Sequence, residues 1–290
     1  MGYLYAVISV LLGNTKGYCG KKQSEYVKTE KDAVFLNIVR MLICSAIGFL
    51  IVLFKKSDLL FSGKETLVFL LSGISSALFV VFWLLCVRED AYLMLDVFLL
   101  LGTVIPITLG AILFHEKVRF NQIIGIAVLL VAVYLMCGYN KKLKGKMTRR
   151  GIITLILCGI ANGCADFSQK IYVKTAAEIS VAKFNLYTYF FSFLVLTAVF
   201  FFLKRPNNKN KPDKKVFVYV FIMAVCLFGY SYFKTLAAKT VDSATLYPLT
   251  QGLSLIISSL MATFLFKERL NKNAVIGMIL AFVGLMVLNA

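Results

Sequence analysis

Two stretches of this chain carry nearly the same pattern, FHEKVRFNQIIG at Phe114–Gly125 and FKERLNKNAVIG at Phe266–Gly277. Phe, Glu, Asn, Ile and Gly recur in place at a spacing of 152 residues. A basic residue follows the Glu in both copies, and an aliphatic residue comes next. Because the chain has 290 residues, a repeat at this distance predicts two related halves.

The composition predicts a membrane protein. Hydrophobic residues make up 60% of the chain and charged residues 16%, whereas soluble domains average about 45–50% and about 25%. A membrane-spanning helix needs roughly 20 mostly apolar residues. Ten segments qualify: 3–20, 33–54, 66–87, 91–114, 121–138, 151–171, 183–203, 216–238, 243–266 and 273–289. Their apolar runs do not alternate as barrel strands do, so we expect an all-α polytopic fold.

The charge distribution favours membrane lipids over nucleic acid as the partner. The net charge is +18, yet we place 28 of the 32 Lys and Arg residues in loops or at helix ends. Basic residues there contact anionic headgroups and influence topology. The seven cysteines and single histidine show no metal-ligand spacing or secreted disulfide pattern, so neither a metal nor a cofactor is predicted.

The most polar connections divide the chain into two sets of five predicted helices. We predict a first repeat over 1–139, a basic linker over 140–150 and a second repeat over 151–290. The 152-residue spacing also relates Asp90 to Asp242, and it drifts to 148 at Asn37 and Asn185. Because each half has an odd number of spans, the two repeats must be inverted. Inverted repeats are typical of secondary transporters, which bind substrate between the halves near the membrane midplane.

In each half an apolar helix ends in FHEKV or FKERL and is followed by a glycine-containing helix, IIGIAVLLVAVYLM or VIGMILAFVGLMVL. This double pattern, over ten helices, resembles the EamA-like branch of the drug/metabolite transporter superfamily. The resemblance covers essentially the whole chain. It implies a transporter of small organic molecules, often an exporter, without enzyme activity. The chain departs from the branch because Pro106 and Pro248 lie at non-equivalent positions, so we expect helix breaks that differ between the halves, with one at Pro248.

Charged residues inside apolar sequence are the first candidates for a substrate site. An ionisable group at mid-helix costs about 2.5–3.5 kcal/mol on insertion scales. Arg40 and Asp96 lie several residues inside apolar sequence, and we expect them to face a cavity and to pair with each other. Asp96 is also the best candidate to carry a coupled proton.

Asp166 and Lys170 are four residues apart and share one helix face, so they either pair structurally or contribute to the site. Lys16, Lys170 and Lys234 lie near predicted helix ends. For these three lysines we expect the ammonium group to extend to the membrane interface.

Uncharged polar residues extend the candidate site. Tyr247 and Gln251 are four residues apart beside Pro248, and a carbonyl freed by a proline in a membrane is tolerated against a cavity or protein surface. Trp83 is expected at the membrane interface. The predicted substrate-binding set is Arg40, Asp96, Asn162, Asp166, Gln169, Tyr230, Tyr247 and Gln251.

The repeated motif itself has a structural interpretation. Glu116 and its counterpart Glu268 are expected to cap the N-terminus of the next helix. Gly277, Ala281 and Gly284 form a small-residue face that serves internal packing or dimerisation, so both monomer and homodimer stay open.

These features favour a secondary active transporter of a small organic metabolite or cation across the cytoplasmic membrane by alternating access. ATP is not the expected energy source, because the sequence has no Walker motif. Two alternatives remain: a membrane-embedded enzyme of lipid metabolism, which would need clustered acids or histidines, and a scaffold that transports nothing.

The membrane orientation is predicted in opposite ways by charge and by resemblance. Connections after odd-numbered spans hold 20 Lys and Arg residues, and those after even-numbered spans hold 8. Basic loops stay cytoplasmic, so this count predicts that both termini lie outside. The family resemblance implies that both lie inside.

Overall fold

The structure is a computed structural model that describes residues 1–88, 92–137, 149–203, 214–265 and 272–289. Within these ranges the chain forms eleven α-helices and no strand. The first half contains α1 (Gly2–Ser24), α2 (Glu30–Phe54), α3 (Gly63–Arg88), α4 (Tyr92–Gly102), α5 (Val104–Phe114) and α6 (Phe120–Cys137). The second half contains α7 (Arg149–Thr175), α8 (Val181–Phe202), α9 (Lys214–Ala238), α10 (Ser243–Phe264) and α11 (Lys272–Asn289). Most of the predicted linker, 140–148, lies outside the described residues.

All ten predicted spans contain helix, and α4 and α5 share the fourth. The boundary between them is Thr103, whose hydroxyl donates to the carbonyl of Leu100 at 2.7 Å. Pro106 has no N–H to donate to the carbonyl of Gly102, and it lies in the first turn of α5, where proline is tolerated. At Pro248, by contrast, α10 continues without interruption. The break predicted there was wrong, because a single missing hydrogen bond need not end a helix that its neighbours hold in place.

Five helices of the described residues are long and apolar enough to cross a membrane: Glu30–Phe54, Glu65–Val87, Gly151–Thr175, Val181–Phe202 and Lys215–Ala238. Shorter apolar helices cover Phe98–Phe114, Phe120–Ala132 and Val275–Val287. Large apolar side chains such as Leu11, Leu42 and Phe282 are exposed on the outer surface. An all-α polytopic membrane fold is therefore confirmed.

The helices pair in a pattern that is preserved when the two halves are exchanged. Helix α1 of the first half packs mainly on α9 of the second half. Its counterpart α7 packs in the same way on α3, which is the counterpart of α9. The counterparts α2 and α8 pack on each other, as do α6 and α11. This pattern is that of a two-fold relation, and five crossings in each half make the repeats inverted, as predicted.

Connections after even-numbered spans meet on one side of the bundle, which we call the terminus side. Gly2 lies against Thr240 in the α9–α10 loop, and the Tyr187 hydroxyl of α8 donates to the carbonyl of Leu59 in the α2–α3 loop at 2.6 Å. On the opposite side the Lys31 ammonium donates to the carbonyl of Leu203 at 2.9 Å.

Small residues set the closest helix contacts. A Cβ at Gly163 of α7 would overlap the carbonyl oxygen of Gly102 of α4, and a Cβ at Gly159 would overlap that of Phe98. In α11, Gly284 faces the carbonyl oxygen of Gly125 of α6. Small faces let helices approach closely, so at Gly284 the small-residue face predicted in the tenth span serves packing within the chain.

The second helix of each half begins with a side-chain cap. At α2 the Thr29 hydroxyl accepts from the Asp32 N–H at 3.1 Å, and the Asp32 carboxylate accepts from the Thr29 N–H at 2.9 Å. At α8 the Ser180 hydroxyl accepts from the Lys183 N–H at 3.3 Å. These caps fix where α2 and α8 start, and so which of their residues face the interior.

Candidate functional site

A cavity lies between the two halves, and it is partly open to the outside of the protein. We call it the central cavity. Its walls come from α1, α3 and α4 of the first half and from their counterparts α7, α9 and α10 of the second. Its lining residues are Gly13, Asn14, Lys16, Gly17, Phe79, Trp83, Leu99, Asn162, Tyr230, Gln251 and Ser254.

Three residues of the predicted substrate-binding set line the central cavity. They are Asn162 of α7, Tyr230 of α9 and Gln251 of α10, one from each second-half wall. All three lie near the middle of long helices, which places them at mid-depth in a bilayer. Their role in binding stays a prediction.

Lys16 is the charged residue among the described lining residues, and the prediction that it extends to the interface was wrong. Its side chain is 7% exposed. Its ammonium lies 5.3 Å from the ring centroid of Phe79, 5.4 Å from that of Trp83 and 5.0 Å from that of Tyr230. Aromatic faces attract a desolvated ammonium, so these three rings stabilise the buried lysine.

Trp83 also lies inside the protein, contrary to its expected place at the interface. Its side chain is 5% exposed and lines the central cavity. A Cβ at Gly20 of α1 would overlap the indole ring. The glycine therefore leaves room for the indole ring against α1, and this contact between two helices could not be read from the local sequence.

A charged cluster lies one helical turn from the central cavity, toward the terminus side. It comprises Asp166, Tyr230, Lys234 and Tyr247. The Lys234 ammonium, 0% exposed, lies 2.7 Å from the Asp166 carboxylate and donates to the Tyr230 hydroxyl at 2.9 Å. The Tyr247 hydroxyl donates to the backbone carbonyl of Asp166 at 2.7 Å, and its ring lies 5.2 Å from the ammonium.

In each of α7, α9 and α10, a residue of the charged cluster lies four positions from a residue that lines the cavity. Asp166 follows Asn162 by four residues, Lys234 follows Tyr230 by four, and Tyr247 precedes Gln251 by four. Residues four apart share a helix face. These three lining residues therefore each have a residue of the cluster beside them on the same helix face, so Asp166 and Tyr247 of the predicted set border the cavity rather than line it.

Lys170 pairs with Glu116 rather than with Asp166, so the predicted Asp166–Lys170 pair was wrong. The Lys170 ammonium lies 2.6 Å from the Glu116 carboxylate, and that of Lys174 lies 3.4 Å away. Lys170 is 3% exposed, so it does not extend to the interface, and neither does Lys234. A shared helix face makes a pair possible, but the neighbouring helices decide which carboxylate each lysine meets.

Glu116 binds the start of a helix in the other half of the chain. Its carboxylate accepts from the backbone N–H of Ser243 at the first turn of α10, at 3.3 Å. The next helix, α6, is instead capped by Gln122, whose side chain accepts from the Arg119 N–H at 2.9 Å. The expected capping of the next span by Glu116 was therefore wrong. Its counterpart Glu268 lies outside the described residues.

The environment of Glu116 favours its ionised form. Burial raises the pKa of this carboxyl group, but hydrogen bonds from Lys170 and Ser243 and the charge of Lys170 outweigh it. The net result is a pKa below the ordinary value of 4.5. At neutral pH Glu116 is thus an anion that joins α5, α7 and α10 on the terminus side.

Arg40 lies away from the central cavity. It is 1% exposed, and its guanidinium donates to the side-chain oxygen of Gln23 at 2.8 Å and lies 3.5 Å from the Met223 sulfur. The expected Arg40–Asp96 pair stays a prediction, because the Asp96 side chain lies outside the described residues.

Gln169 belongs to a polar chain between α7, α8 and α9. Its amide nitrogen lies 3.4 Å from the Ser231 hydroxyl, which donates to the side-chain oxygen of Asn185 at 2.6 Å. This chain satisfies polar atoms that are buried between helices, so it supports packing beside the site.

Asn14 is a lining residue that our sequence reasoning missed. It stands 148 positions before Asn162, the same spacing that relates Asn37 to Asn185. Asn37 and Asn185 both donate their amide to the carbonyl four residues earlier, at 2.9 and 3.1 Å. Extending this spacing to the first span would have identified Asn14 as the partner of Asn162.

The described residues contain no group of three or more His, Cys, Asp or Glu side chains that could hold a metal ion. The chemistry of the central cavity is that of one ammonium, three aromatic faces and several amide and hydroxyl groups. Such a set can bind a small molecule by charge, hydrogen bonding and stacking.

Comparisons with known proteins agree with this architecture. A solved crystal structure of another protein superposes on 99% of this chain and 95% of its own, with a TM-score of 0.73 at 16% sequence identity; at that identity the likeness concerns the fold alone. No curated protein sequence matches the chain. The model of the EamA-like transporter family matches residues 1–138 and again residues 149–290. The chain therefore belongs to the EamA-like transporter family.

Proposed function

We propose that this protein is a secondary active transporter that carries a small organic metabolite across the cytoplasmic membrane by alternating access, without enzyme activity. The observation that carries the proposal is the position of the central cavity, which is walled by three helices of each inverted repeat. When one repeat rocks against the other, a site between them is exposed to one side of the membrane and then the other.

The charged cluster suggests how one route is closed. Asp166, Lys234 and Tyr247 join α7, α9 and α10 within one turn of the cavity, toward the terminus side. In this state a solute in the cavity meets side chains held by an ion pair and a hydrogen bond. Transport then requires these three helices to separate on that side.

A small metabolite fits the lining better than a simple cation. The wall offers an organic solute three aromatic faces to pack against and several amide and hydroxyl groups for hydrogen bonds. Export is the direction that the family resemblance suggests. The wall supplies no cluster of acids or histidines among the described residues, so the lipid-enzyme alternative gains no support.

Transport is tested with purified protein in liposomes, by counterflow of a panel of labelled metabolites and cations, with and without a pH gradient. Asn14→Trp fills the central cavity and should abolish counterflow. The matched control is Leu11→Trp, which puts the same side chain on the exposed face of the same helix and should leave it intact. Both variants must remain folded, as judged by gel filtration and thermal unfolding. Undiminished counterflow in a folded Asn14→Trp variant would place the pathway elsewhere.

A further inference from the structure

We propose that the central cavity recognises an uncharged, carboxamide-like group of its solute through the side-chain amides of Asn162 and Gln251. This inference rests on the proposed function and narrows its substrate class. It depends on two amides that line the cavity from α7 and α10, and that have no hydrogen-bond partner within the part of the chain that the structure describes.

The two amides reach the cavity at a similar depth, because the helices that carry them run in opposite directions and are joined one turn away. Helix α7 runs toward the terminus side, and α10 starts there. The Tyr247 hydroxyl of α10 donates to the backbone carbonyl of Asp166 of α7 at 2.7 Å. Asn162 precedes Asp166 by four residues, and Gln251 follows Tyr247 by four. Each amide therefore stands one turn further from the terminus side than this hydrogen bond.

Asn162 differs from the asparagines that share its position in the repeat or its spacing. Asn14, Asn37 and Asn185 each donate their amide to the carbonyl four residues earlier, at 2.9, 2.9 and 3.1 Å. Asn162 is 4% exposed, and its amide nitrogen has no partner among the described residues. A buried donor without a partner is unfavourable, so this amide is available to a solute rather than satisfied by its own helix.

Gln251 supplies the second amide. Its side chain is buried against the cavity, and the structure gives it no hydrogen bond to any described residue. Other polar groups of the wall already have partners: the Asn14 amide is bonded to its own helix, and the Tyr230 hydroxyl accepts from the Lys234 ammonium at 2.9 Å. Lys16 also has partners, among them three aromatic rings. Asn162 and Gln251 are therefore the lining amides that a solute can engage.

The chemistry of a side-chain amide decides which head group satisfies both residues. Each amide has two N–H donors and a carbonyl acceptor. A carboxylate only accepts and an ammonium only donates, so either one leaves part of each amide unpaired, which is costly in a buried site. A carboxamide has both donors and an acceptor and can bond to both side chains at once, whereas a single hydroxyl has one N–H or O–H donor fewer.

The apolar part of the wall describes the body of the solute. Phe79, Trp83 and Leu99 line the cavity beside the amides. A wall that is largely apolar, with a few placed polar groups that fix orientation, is usual for small-molecule sites. We therefore expect the solute to carry a carboxamide-like head on an aromatic or aliphatic body.

Trp83 makes a direct binding measurement possible, since it is the single tryptophan of the chain and lines the cavity. Its fluorescence is titrated in purified protein with two matched probe sets: benzamide, benzoate, benzylamine and benzyl alcohol, and butyramide, butyrate, butylamine and butanol. Each set keeps the body constant and changes the head group. The same titrations of N-acetyltryptophanamide in detergent correct for direct quenching. We expect a saturable change with at least one carboxamide, and binding at least about tenfold weaker for the other three members of its set.

Variants assign the head-group preference to the two amides. Asn162→Leu and Gln251→Leu should each weaken carboxamide binding by roughly tenfold and change the binding of the alcohol less. The control is Asn121→Leu, the same substitution at an exposed position of α6; it should bind like the unmodified protein. Gel filtration confirms that each variant is folded.

Thermal unfolding tests Asn162 independently of any ligand. Because its buried amide nitrogen has no partner, Asn162→Leu should unfold at the same temperature as the original protein or higher. Asn185→Leu should unfold at a lower temperature, since it removes bonds to the Val181 carbonyl and from the Ser231 hydroxyl, at 3.1 and 2.6 Å. A clear loss of stability in Asn162→Leu would show that this amide serves the fold and would contradict the inference.

The possible outcomes separate this inference from the proposed function. If no carboxamide gives a saturable change, or if the carboxylate, amine or alcohol binds as tightly, the carboxamide site is wrong even when liposomes show transport. If Asn162→Leu and Gln251→Leu keep the preference for carboxamides, these amides are not the selecting groups and the inference also fails. Selective carboxamide binding without counterflow of the same compound would instead support the site and contradict the transporter.

Discussion

Toward the terminus side, the central cavity ends at side chains joined by an ion pair and a hydrogen bond, whereas the corresponding positions toward the opposite side are aromatic or aliphatic. The charged positions are Asp166, Lys234 and Tyr247. The counterparts of Asp166 and Tyr247 in the first half, at spacings of 148 and 152 residues, are Tyr18 and Leu95. Leu95 belongs to one large hydrophobic cluster, and Tyr18 packs against it.

This difference shows that two inverted repeats can have the same helix arrangement and still place different side chains at the two ends of the central cavity. Apolar contacts are non-directional and can slide or repack. An ion pair buried with its hydrogen bonds has one good geometry, and breaking it leaves an uncompensated charge. We therefore expect the terminus side to separate in a single discrete step, and the opposite side to adjust gradually.

The largest effect should come from leaving one charge of the cluster alone. Lys234→Met removes the ammonium from Asp166, and we expect it to lower the free energy of unfolding by about 3–5 kcal/mol. The double variant Asp166→Asn/Lys234→Met removes both charges, so it should be clearly more stable than Lys234→Met alone. Thermal unfolding in detergent measures both.

The matched variant in the first half is Leu95→Met, at the counterpart of Tyr247. It exchanges one fully buried apolar side chain for another of similar volume, so it should cost no more than about 1.5 kcal/mol. If Leu95→Met is as damaging as Lys234→Met, or if the double variant is no better than the single one, the contrast between the two ends disappears.

A smaller loss is expected at Tyr247. Tyr247→Phe removes the hydroxyl that donates to the Asp166 carbonyl at 2.7 Å but keeps the ring beside Lys234. The expected loss of stability is about 1 kcal/mol, the usual net value of a hydrogen bond. Since the bond joins α7 to α10, the same variant should also increase the hydrogen exchange of the first turns of α10. Exchange that is unchanged there would show that the bond does not hold the two helices together.

Acid should weaken the terminus side through Glu116. Its pKa lies below the ordinary value of 4.5 in the folded protein, so it binds a proton more readily when unfolded. Its contribution to stability is therefore complete above about pH 4.5 and is lost as the pH falls through the folded-state pKa. Glu116→Gln should remove this part of the pH dependence of thermal unfolding. A variant whose stability falls with acid as steeply as that of the original protein would contradict it.

The membrane orientation decides which compartment the charged cluster faces, although it does not alter any contact within it. The excess of Lys and Arg after odd-numbered spans predicts that the terminus side is external. A C-terminal reporter that is active only in the cytoplasm should then be silent. A strong reporter signal would place the charged cluster at the cytoplasmic end, as the family resemblance implies.

The sequence by itself determined the repeat and the number of spans, and it identified three residues that line the central cavity. Length, hydrophobicity and the recurrence of FHEKV as FKERL are properties of the chain alone, so the two halves and the ten spans followed from them. Asn162, Tyr230 and Gln251 were identified because polar side chains in apolar helices are costly without a polar use. The spacing of 148 residues also contained Asn14, although we did not extend it that far.

The tertiary structure decided which side chains meet. Spacing along a helix showed that Asp166 and Lys170 share a face. Only the packing of the helices showed that Asp166 pairs with Lys234 and that Lys170 pairs with Glu116. In the same way Trp83 is buried because Gly20 of α1 leaves room for its indole ring. The physical reason is that hydrophobicity and periodicity are local quantities, whereas the partner of a buried charge depends on the rotation and depth of helices from distant parts of the chain.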